Sequence, residues 1–400
     1  MKITVLTNEY PPHIYGGAGV HVEYLTKEFI KLNAGEIEVF AFGDQDIHDG
    51  PLTVEGVEAK VKLEAQDPRH AKVLDTLQRD LIMAGKAHGS DVVHCHTWYS
   101  HFAGCLVKQL QDAKLVLTTH SLEPHRPWKV EQLGSAYHVS SWLEKTAFQN
   151  ADGVIAVSEA MKRDVHKLYD VPFEKIAVIP NGIDPDEYKP TFDEAVLEKY
   201  GIDPAQPFVL FVGRITRQKG ILHLANALKY LPDGTQVVLC AGAPDTPEIG
   251  EEMKTLIAEA REAGAENVIW IEEMVKREDI IRLYSHAALF VCPSVYEPFG
   301  IINLEAMACE TPVVASAVGG IPEIVVPGET GTLVEFEVGE NFEPKDPDGF
   351  ARALASAITE LLEDPERLER MGKASRTRVE ETFSWRAVAE ETLEFYRSLL

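Results

Sequence analysis

Along the first half of the chain, short apolar runs rich in β-branched residues alternate with longer stretches whose apolar positions recur every three or four residues. Residues 3–6, 37–42, 92–94, 115–119, 154–157 and 176–179 read as buried strands, and residues 20–32, 73–87, 139–149 and 160–168 carry the period of amphipathic helices. The alternation restarts at 208–212 and continues through 237–241, 268–271, 289–292 and 312–315, again with helical stretches between. Strand and helix in repeated order predict parallel sheets with helices on both faces, here two doubly wound α/β sheets. The turn-rich run Pro180-Asn181-Gly182-Ile183-Asp184-Pro185, followed by Pro190, Pro204 and Pro207, marks the join. The expected organisation is an N-terminal domain over 1–190, a C-terminal domain over 191–382, and a final helix over 383–400 that packs back on the N-terminal domain. Helical periods at 350–362, 367–382 and 385–399 close the chain.

A length of 400 residues agrees with two cores and makes a cleft between them the natural place for a site. Hydrophobic residues make up 45% and charged residues 26%, and no apolar run approaches the ~18 residues that span a bilayer, so a soluble chain without membrane insertion is expected. The N-terminus shows neither an h-region nor a small-residue cleavage site. Five cysteines, none in a Cys-x-x-Cys pair and most within apolar stretches, read as reduced thiols; a cytoplasmic location is expected. Acidic residues outnumber basic ones by 64 to 38, a net charge of −26 that argues against nucleic acid or anionic membrane as partner. Any anionic substrate must meet a local basic cluster, and that narrows the search for chemistry.

Four segments qualify. The first is Tyr15-Gly16-Gly17-Ala18-Gly19, leaving the first strand and opening a helix, where side-chain-free backbone lets a phosphate approach the positive helix end. The second, Gly213-Arg214-Ile215-Thr216-Arg217-Gln218-Lys219-Gly220, repeats that geometry in the second half and concentrates cations suited to a diphosphate leaving group. In the third, Glu297-Pro298-Phe299-Gly300-Ile301-Ile302-Asn303-Leu304-Glu305, a helix beginning near Gly300 turns its free N–H groups toward a ligand, with carboxylates on either side for sugar and ribose hydroxyls. The fourth places His120 at a strand end, followed by Arg126, Trp128 and Lys129, an aromatic plane with two cations that suits a sugar phosphate or a glucan.

Other patterns carry less. Asp44-Gln45-Asp46, Asp184-Pro185-Asp186 and Asp346-Pro347-Asp348 match a metal-diphosphate signature, but each lies in a Pro- or Gly-rich turn that explains it. His94-Cys95-His96 with His101 lacks a second distant pair at metal-ligand spacing. No metal site is expected.

Together the four segments resemble the family-4 glycosyltransferases of the GT-B fold, whose marker is a pair of glutamates spaced as Glu297 and Glu305 are. The resemblance covers nearly the whole chain, with the motifs in the family's order. The runs 9–22, 120–129 and 294–309 are similar in particular to the actinobacterial-type glycogen synthases, a group that includes α-maltose-1-phosphate synthases. The resemblance implies two Rossmann-like domains facing each other across a cleft and a retaining transfer of glucose from a nucleotide-diphosphate donor, ADP-glucose. It implies Arg214 and Lys219 on the diphosphate, with Gly213 in the same loop; Glu305 on the ribose; and Glu297 with the backbone of Phe299, Gly300 and Ile301 around the glucose. His120 touches the sugar, and Gly16 and Gly17 complete the phosphate cradle. The acceptor is either the 4-hydroxyl of glucose 1-phosphate or the end of an α-1,4-glucan, with Arg126, Trp128 and Lys129 as its candidate contacts. The loop at 15–19 has no lysine before its glycines, unlike longer bacterial synthases, and this favours the small phosphorylated acceptor. No cofactor or metal is implied, and homo-oligomerisation is left open. The competing readings are a family-4 transferase using UDP-glucose or GDP-mannose, a nucleotide-sugar epimerase of the same fold, and a non-enzymatic glycan-binding protein.

Overall fold

The computed structural model describes residues 1–242 and 244–400. Contacts divide the chain into two compact units, Met1–Gly182 with Trp385–Leu400, and Ile183–Ser384.

Unit 1 is built on eight strands: β1 (Lys2–Thr7), β2 (Glu36–Phe42), β3 (Asp46–Asp49), β4 (Leu52–Val57), β5 (Val92–His96), β6 (Lys114–Thr119), β7 (Gly153–Ala156) and β8 (Ile176–Val178). Their order is β3-β4-β2-β1-β5-β6-β7-β8, parallel except for β3, which pairs antiparallel with β4. β1 lies between β2 and β5, with Ile3 in register with Ile37 on one side and Val92 on the other. The strand β3 is absent from the sequence expectation because Asp46–Asp49 is polar and largely exposed at the sheet edge, where burial imposes no apolar pattern; β4 is absent from it although Leu52 and Val54 alternate into the core. The helix Gly17–Lys31 covers one face through Val22, Leu25 and Phe29. Trp385, Val388, Leu393 and Tyr396 of the helix Trp385–Leu399 join the same core, and the Trp385 and Tyr24 rings stack.

Unit 2 has six parallel strands, β9 (Phe208–Arg214), β10 (Gln236–Gly242), β11 (Val268–Ile271), β12 (Leu289–Cys292), β13 (Val313–Ser316) and β14 (Gly331–Val334), in the order β11-β10-β9-β12-β13-β14. Its core gathers Val209, Phe211, Leu239 and Val291 from the sheet and Leu354, Ile358 and Leu361 from the helix Pro347–Leu362. The passage into unit 2 comes at Ile183, earlier than the expected 190/191 boundary. Arg376 accounts for this, because its guanidinium donates to the carbonyls of Pro185 and Tyr188 at 2.9 and 2.7 Å and ties that stretch to unit 2.

In each unit the strand order reverses direction once, between β1 and β5 and between β9 and β12. Such switch points open a crevice at the carboxyl ends of the strands, where ligands of doubly wound sheets bind. The four segments singled out above all leave strands at or beside these two points.

Candidate active site

In unit 2 the loops after β9 and β12 touch. Gly220 has φ +63°, and a Cβ there would lie 1.9 Å from the carbonyl oxygen of Pro293, so only glycine permits the approach. The contact carries Lys219 to Glu297, with Nζ 2.7 Å from Oε2, and Ser294 Oγ donates to the same oxygen at 3.1 Å. Burial works against the charge on Lys219, but the Glu297 carboxylate outweighs it and the lysine pKa is raised. Gly319, at φ +55°, would put a Cβ 1.9 Å from the Glu297 carbonyl oxygen, which also accepts from the Gly320 N–H at 3.0 Å. The backbone of Glu297 is thereby held from a third loop. Arg214 ends β9 with about half its side chain exposed, its Nη1 donating to Asp245 at 3.1 Å, and Gly213 precedes it in the strand.

Gly300, with φ +108°, is the N-cap of the helix Ile301–Ala308. Phe299 before it is buried, and Glu305 lies within the helix. The Glu305 carboxylate accepts from the hydroxyls of Tyr188 at 3.2 Å and Tyr284 at 3.3 Å. Burial pushes its pKa up to about 7, against the pull of those two hydrogen bonds. Unit 2 thus groups the Lys219 and Arg214 cations, the Glu297 carboxylate and a second acid, Glu305, that titrates near neutral pH around one switch point. Chemically, it can grip a diphosphate through Lys219 and Arg214 and bind hydroxyls through Glu297 and Glu305.

Unit 1 is organised differently. Glu9, just past β1, folds its carboxylate onto the glycine loop, where Oε2 accepts from the amides of Tyr15 at 2.9 Å and Gly16 at 2.8 Å. Of the expected Gly16–Gly17 cradle, the Gly16 amide is therefore turned toward Glu9. A Cβ at Gly19 would lie 2.9 Å from the Glu9 Cβ, so the third glycine serves this carboxylate.

His120, past β6, meets His96 at the end of β5, with Nε2 and Nδ1 2.9 Å apart, and His21 packs edge-on against it at 4.9 Å. Their nitrogens lie within 4.8 Å of one another, the one such trio of possible metal ligands found among the described residues. Two nitrogens on a tetrahedral ion at ~2.05 Å are separated by about 3.3 Å, so the 2.9 Å contact has the spacing of a hydrogen bond rather than of a shared ion. Burial holds His120 and His96 well below the usual histidine range and lowers His21 to about 4, so all three are neutral.

The stretch after His120 departs from expectation at Lys129. Its ammonium is buried, 2.6 Å from Glu123 Oε1, with the two side chains 7% and 1% exposed. Ser140 Oγ donates to the other Glu123 oxygen, and the Glu123 amide donates to Glu144, whose pKa rises to about 8 through burial and then through Glu123. Lys129 is thus a structural cation, placed there because Glu123 cannot be buried charged without a partner. Trp128 is likewise buried. Arg126 keeps more freedom: Nη1 makes one long bond of 3.4 Å to Ser121, and Nε is buried with no partner among the described residues.

The dismissed Asp-x-Asp runs behave as turn chemistry requires. Asp184 accepts from the amides of Asp186 and Glu187, Asp346 caps the helix Pro347–Leu362 through the Gly349 amide, and Asp44 binds His13. Glu9, His21, His96, Tyr188, Tyr284 and Ser294 are the site residues that sequence reasoning did not single out. Only His96 carried a signal, as the last residue of the strand-end run His94-Cys95-His96 set aside above as a metal pattern.

Two doubly wound units with cations and carboxylates at their switch points are the architecture of the GT-B glycosyltransferases, and the comparisons with known proteins agree. Residues 15–187 match the model of Glycosyltransferase Family 4 and residues 192–378 that of Glycosyl transferases group 1. The chain is 46% identical over 407 residues, the full length of both proteins, to alpha-maltose-1-phosphate synthase of Mycolicibacterium smegmatis. It is 29% identical over 425 residues, 99% of this chain and 94% of the relative, to glycogen synthase of Mycobacterium tuberculosis. Among solved structures, sucrose-phosphate synthase from Thermosynechococcus elongatus aligns with a TM-score of 0.78 at 26% identity, covering 100% of this chain and 99% of that one. The chain belongs to the family-4 glycosyltransferases and is an enzyme of that class. Among the described residues no helix is long and apolar enough to cross a membrane.

Proposed function

We propose that the enzyme transfers the glucosyl group of ADP-glucose, with retention of configuration, to the 4-hydroxyl of glucose 1-phosphate, forming maltose 1-phosphate and ADP. The observation that carries this reading is the 2.7 Å pairing of Lys219 with Glu297. It sets a phosphate-binding cation beside a sugar-binding acid, as cleavage of the bond between glucose C1 and a diphosphate oxygen requires. The full-length identity to an alpha-maltose-1-phosphate synthase supports the acceptor.

In this reaction the donor C1–O bond breaks toward ADP while the acceptor O4 bonds to C1 on the same face. The departing phosphate oxygen takes the acceptor proton. Lys219 and Arg214 stabilise the charge that develops on that oxygen, and Glu305 holds the ribose hydroxyls. Glu297, with the backbone at Phe299, Gly300 and Ile301, orients the glucose. On unit 1, His120 is assigned to a sugar hydroxyl, the Gly17 amide to a phosphate, and Arg126, whose buried Nε has no partner among the described residues, to the acceptor phosphate. The two cations neutralise the diphosphate, so the reaction is proposed to run without a metal.

The test is incubation with ADP-glucose and either glucose 1-phosphate or glycogen, followed by mass analysis. Maltose 1-phosphate as main product is the expected result. Elongated glycogen with no maltose 1-phosphate would establish instead the glucan-extending reading that the glycogen synthase relative favours. Turnover of UDP-glucose or GDP-mannose in preference to ADP-glucose would overturn the donor assignment.

A further inference from the structure

We infer that His96 fixes the tautomer of His120, so that His120 presents a permanent Nδ1–H donor to its ligand rather than a basic nitrogen. His96 is on this account a positioning residue. Its importance for catalysis rests on the proposed reaction, in which His120 meets the transferred glucose.

The sheet dictates the pairing. His94 and His96 share one face of β5 by strand alternation, and His96 is in register with Thr118 of the parallel neighbour β6. One same-face step beyond Thr118 is His120, whose Nε2 comes 2.9 Å from His96 Nδ1. One of those two nitrogens must donate. Both rings are neutral, because burial and the adjacent histidines oppose a second proton, so only two arrangements exist.

The far side of His96 decides between them. Its Nε2 is buried and has no hydrogen-bond partner among the described residues. If His120 donated, the His96 proton would lie on that Nε2 as an orphaned N–H, a rarer kind of unsatisfied buried group than an unpaired acceptor. If His96 donates from Nδ1, only a lone pair is stranded. The second arrangement is therefore favoured, and it obliges His120 Nε2 to accept. The His120 proton is then on Nδ1, the nitrogen not engaged with His96. His21 is fixed in a similar way, its Nδ1 donating to Asn181 Oδ1 at 2.6 Å. A donor of this kind binds a hydroxyl or ring oxygen of a sugar without removing a proton. The same property excludes His120 as general base, in keeping with proton transfer to the departing phosphate.

The tautomers are read directly by two-bond ¹H–¹⁵N correlation spectra of the full-length protein labelled at histidine, near neutral pH, with His96 and His120 assigned from single variants. Both rings are expected as Nδ1–H. An Nε2–H form of His120 overturns the inference whatever the enzyme does, and a wild type with the expected tautomers that transfers no glucose sinks the proposed function instead.

Substitution supplies the link to catalysis. His96→Asn places an amide N–H near the Nδ1 position, whereas His96→Gln places it near Nε2. His96→Asn should keep His120 as Nδ1–H and turnover within about threefold, while His96→Gln and His96→Ala should mix the tautomers and lower kcat about tenfold, the effect of one lost hydrogen bond, with the donor KM little changed. A merely structural role predicts equal damage from Asn and Gln, and that result in folded protein refutes the positioning role. Should the alanine variant fail to fold, the wild-type spectrum and the Asn and Gln pair still decide.

Discussion

Donor affinity should depend on pH through Glu305. Burial beneath Tyr188 and Tyr284 raises this carboxyl from the usual 4.5 to about 7 in the free enzyme. Only the ionised form accepts hydrogen bonds from two ribose hydroxyls, so apparent affinity scales with the ionised fraction. With a pKa near 7 the dissociation constant should be almost level above pH 8, double near pH 7, rise about tenfold by pH 6 and rise steeply below. ADP-glucose is the right titrant, because its diphosphate is doubly esterified and carries no proton to confuse the profile. Calorimetric titration between pH 6 and 8.5 gives the curve directly. Glu305→Gln, which resembles the protonated form, should bind weakly and with no pH dependence. Tyr188→Phe removes one of the bonds that lower the pKa and should move the midpoint upward.

Stability offers an independent reading of the same group. A carboxyl that holds its proton more tightly folded than unfolded costs nothing below pH 4.5, and its cost grows as pH rises toward 7. The full cost is ~3 kcal/mol, so Glu305→Gln should stabilise the protein by up to that amount at pH 8 and not at all at pH 4. Glu144→Gln is the control, since that buried acid titrates near 8 within unit 1. An ADP-glucose affinity constant from pH 6 to 8.5 in folded wild type would refute the role given to Glu305.

Lys219→Ala should lose ~2–4 kcal/mol of transition-state stabilisation, mostly as lower kcat, and unchanged turnover in folded variant would remove Lys219 from the mechanism. Lys129→Ala strands the buried Glu123 carboxylate and should destabilise unit 1 by ~3–5 kcal/mol in chemical denaturation; a normal midpoint with a raised acceptor KM would restore the acceptor role originally expected of it. Gly319→Ala drives a Cβ into the Glu297 carbonyl from a left-handed backbone and should raise donor KM at least tenfold, measured by initial rates, whereas a wild-type KM would show that the loop yields freely. Exhaustive EDTA treatment should leave turnover unchanged, and loss restored by a divalent ion would contradict the proposed metal-free chemistry.

The elements were legible wherever burial imposes a pattern. Strands β11 and β12 and the helix Trp385–Leu399 have the bounds that their apolar residues predict; for β12, buried throughout, this is because a parallel strand covered on both faces must be continuously apolar, and for the helix because a packed face must repeat every three to four residues. The strands β3, β4 and β14 escaped notice: β3 is a polar edge, β4 was passed over although Leu52 and Val54 carry a strand's alternation, and β14 opens on Gly331 and Thr332 with only two apolar residues after them. Pairing escaped more completely. Lys129 reads as an available cation beside Arg126, yet whether an ammonium faces a ligand or a buried carboxylate depends on how Glu123 is enclosed, which no local pattern encodes.

Chain order, apolar period and the placement of glycines at strand ends determined by themselves that this protein has two doubly wound units, that Gly300 starts a helix with Glu305 inside it, and that Arg214 and Lys219 cluster in an acidic chain. These are local consequences of backbone sterics and hydrophobic burial. Only the tertiary structure decided that Lys219 meets Glu297, that burial raises the Glu305 pKa to about 7 against the pull of two tyrosine hydroxyls, that Glu9 holds the Gly16 amide, and that His96 pairs with His120. Hydrogen bonds and desolvation act over a few ångströms between residues far apart in the chain, so their outcome exists only once the sheets have set the strand ends side by side.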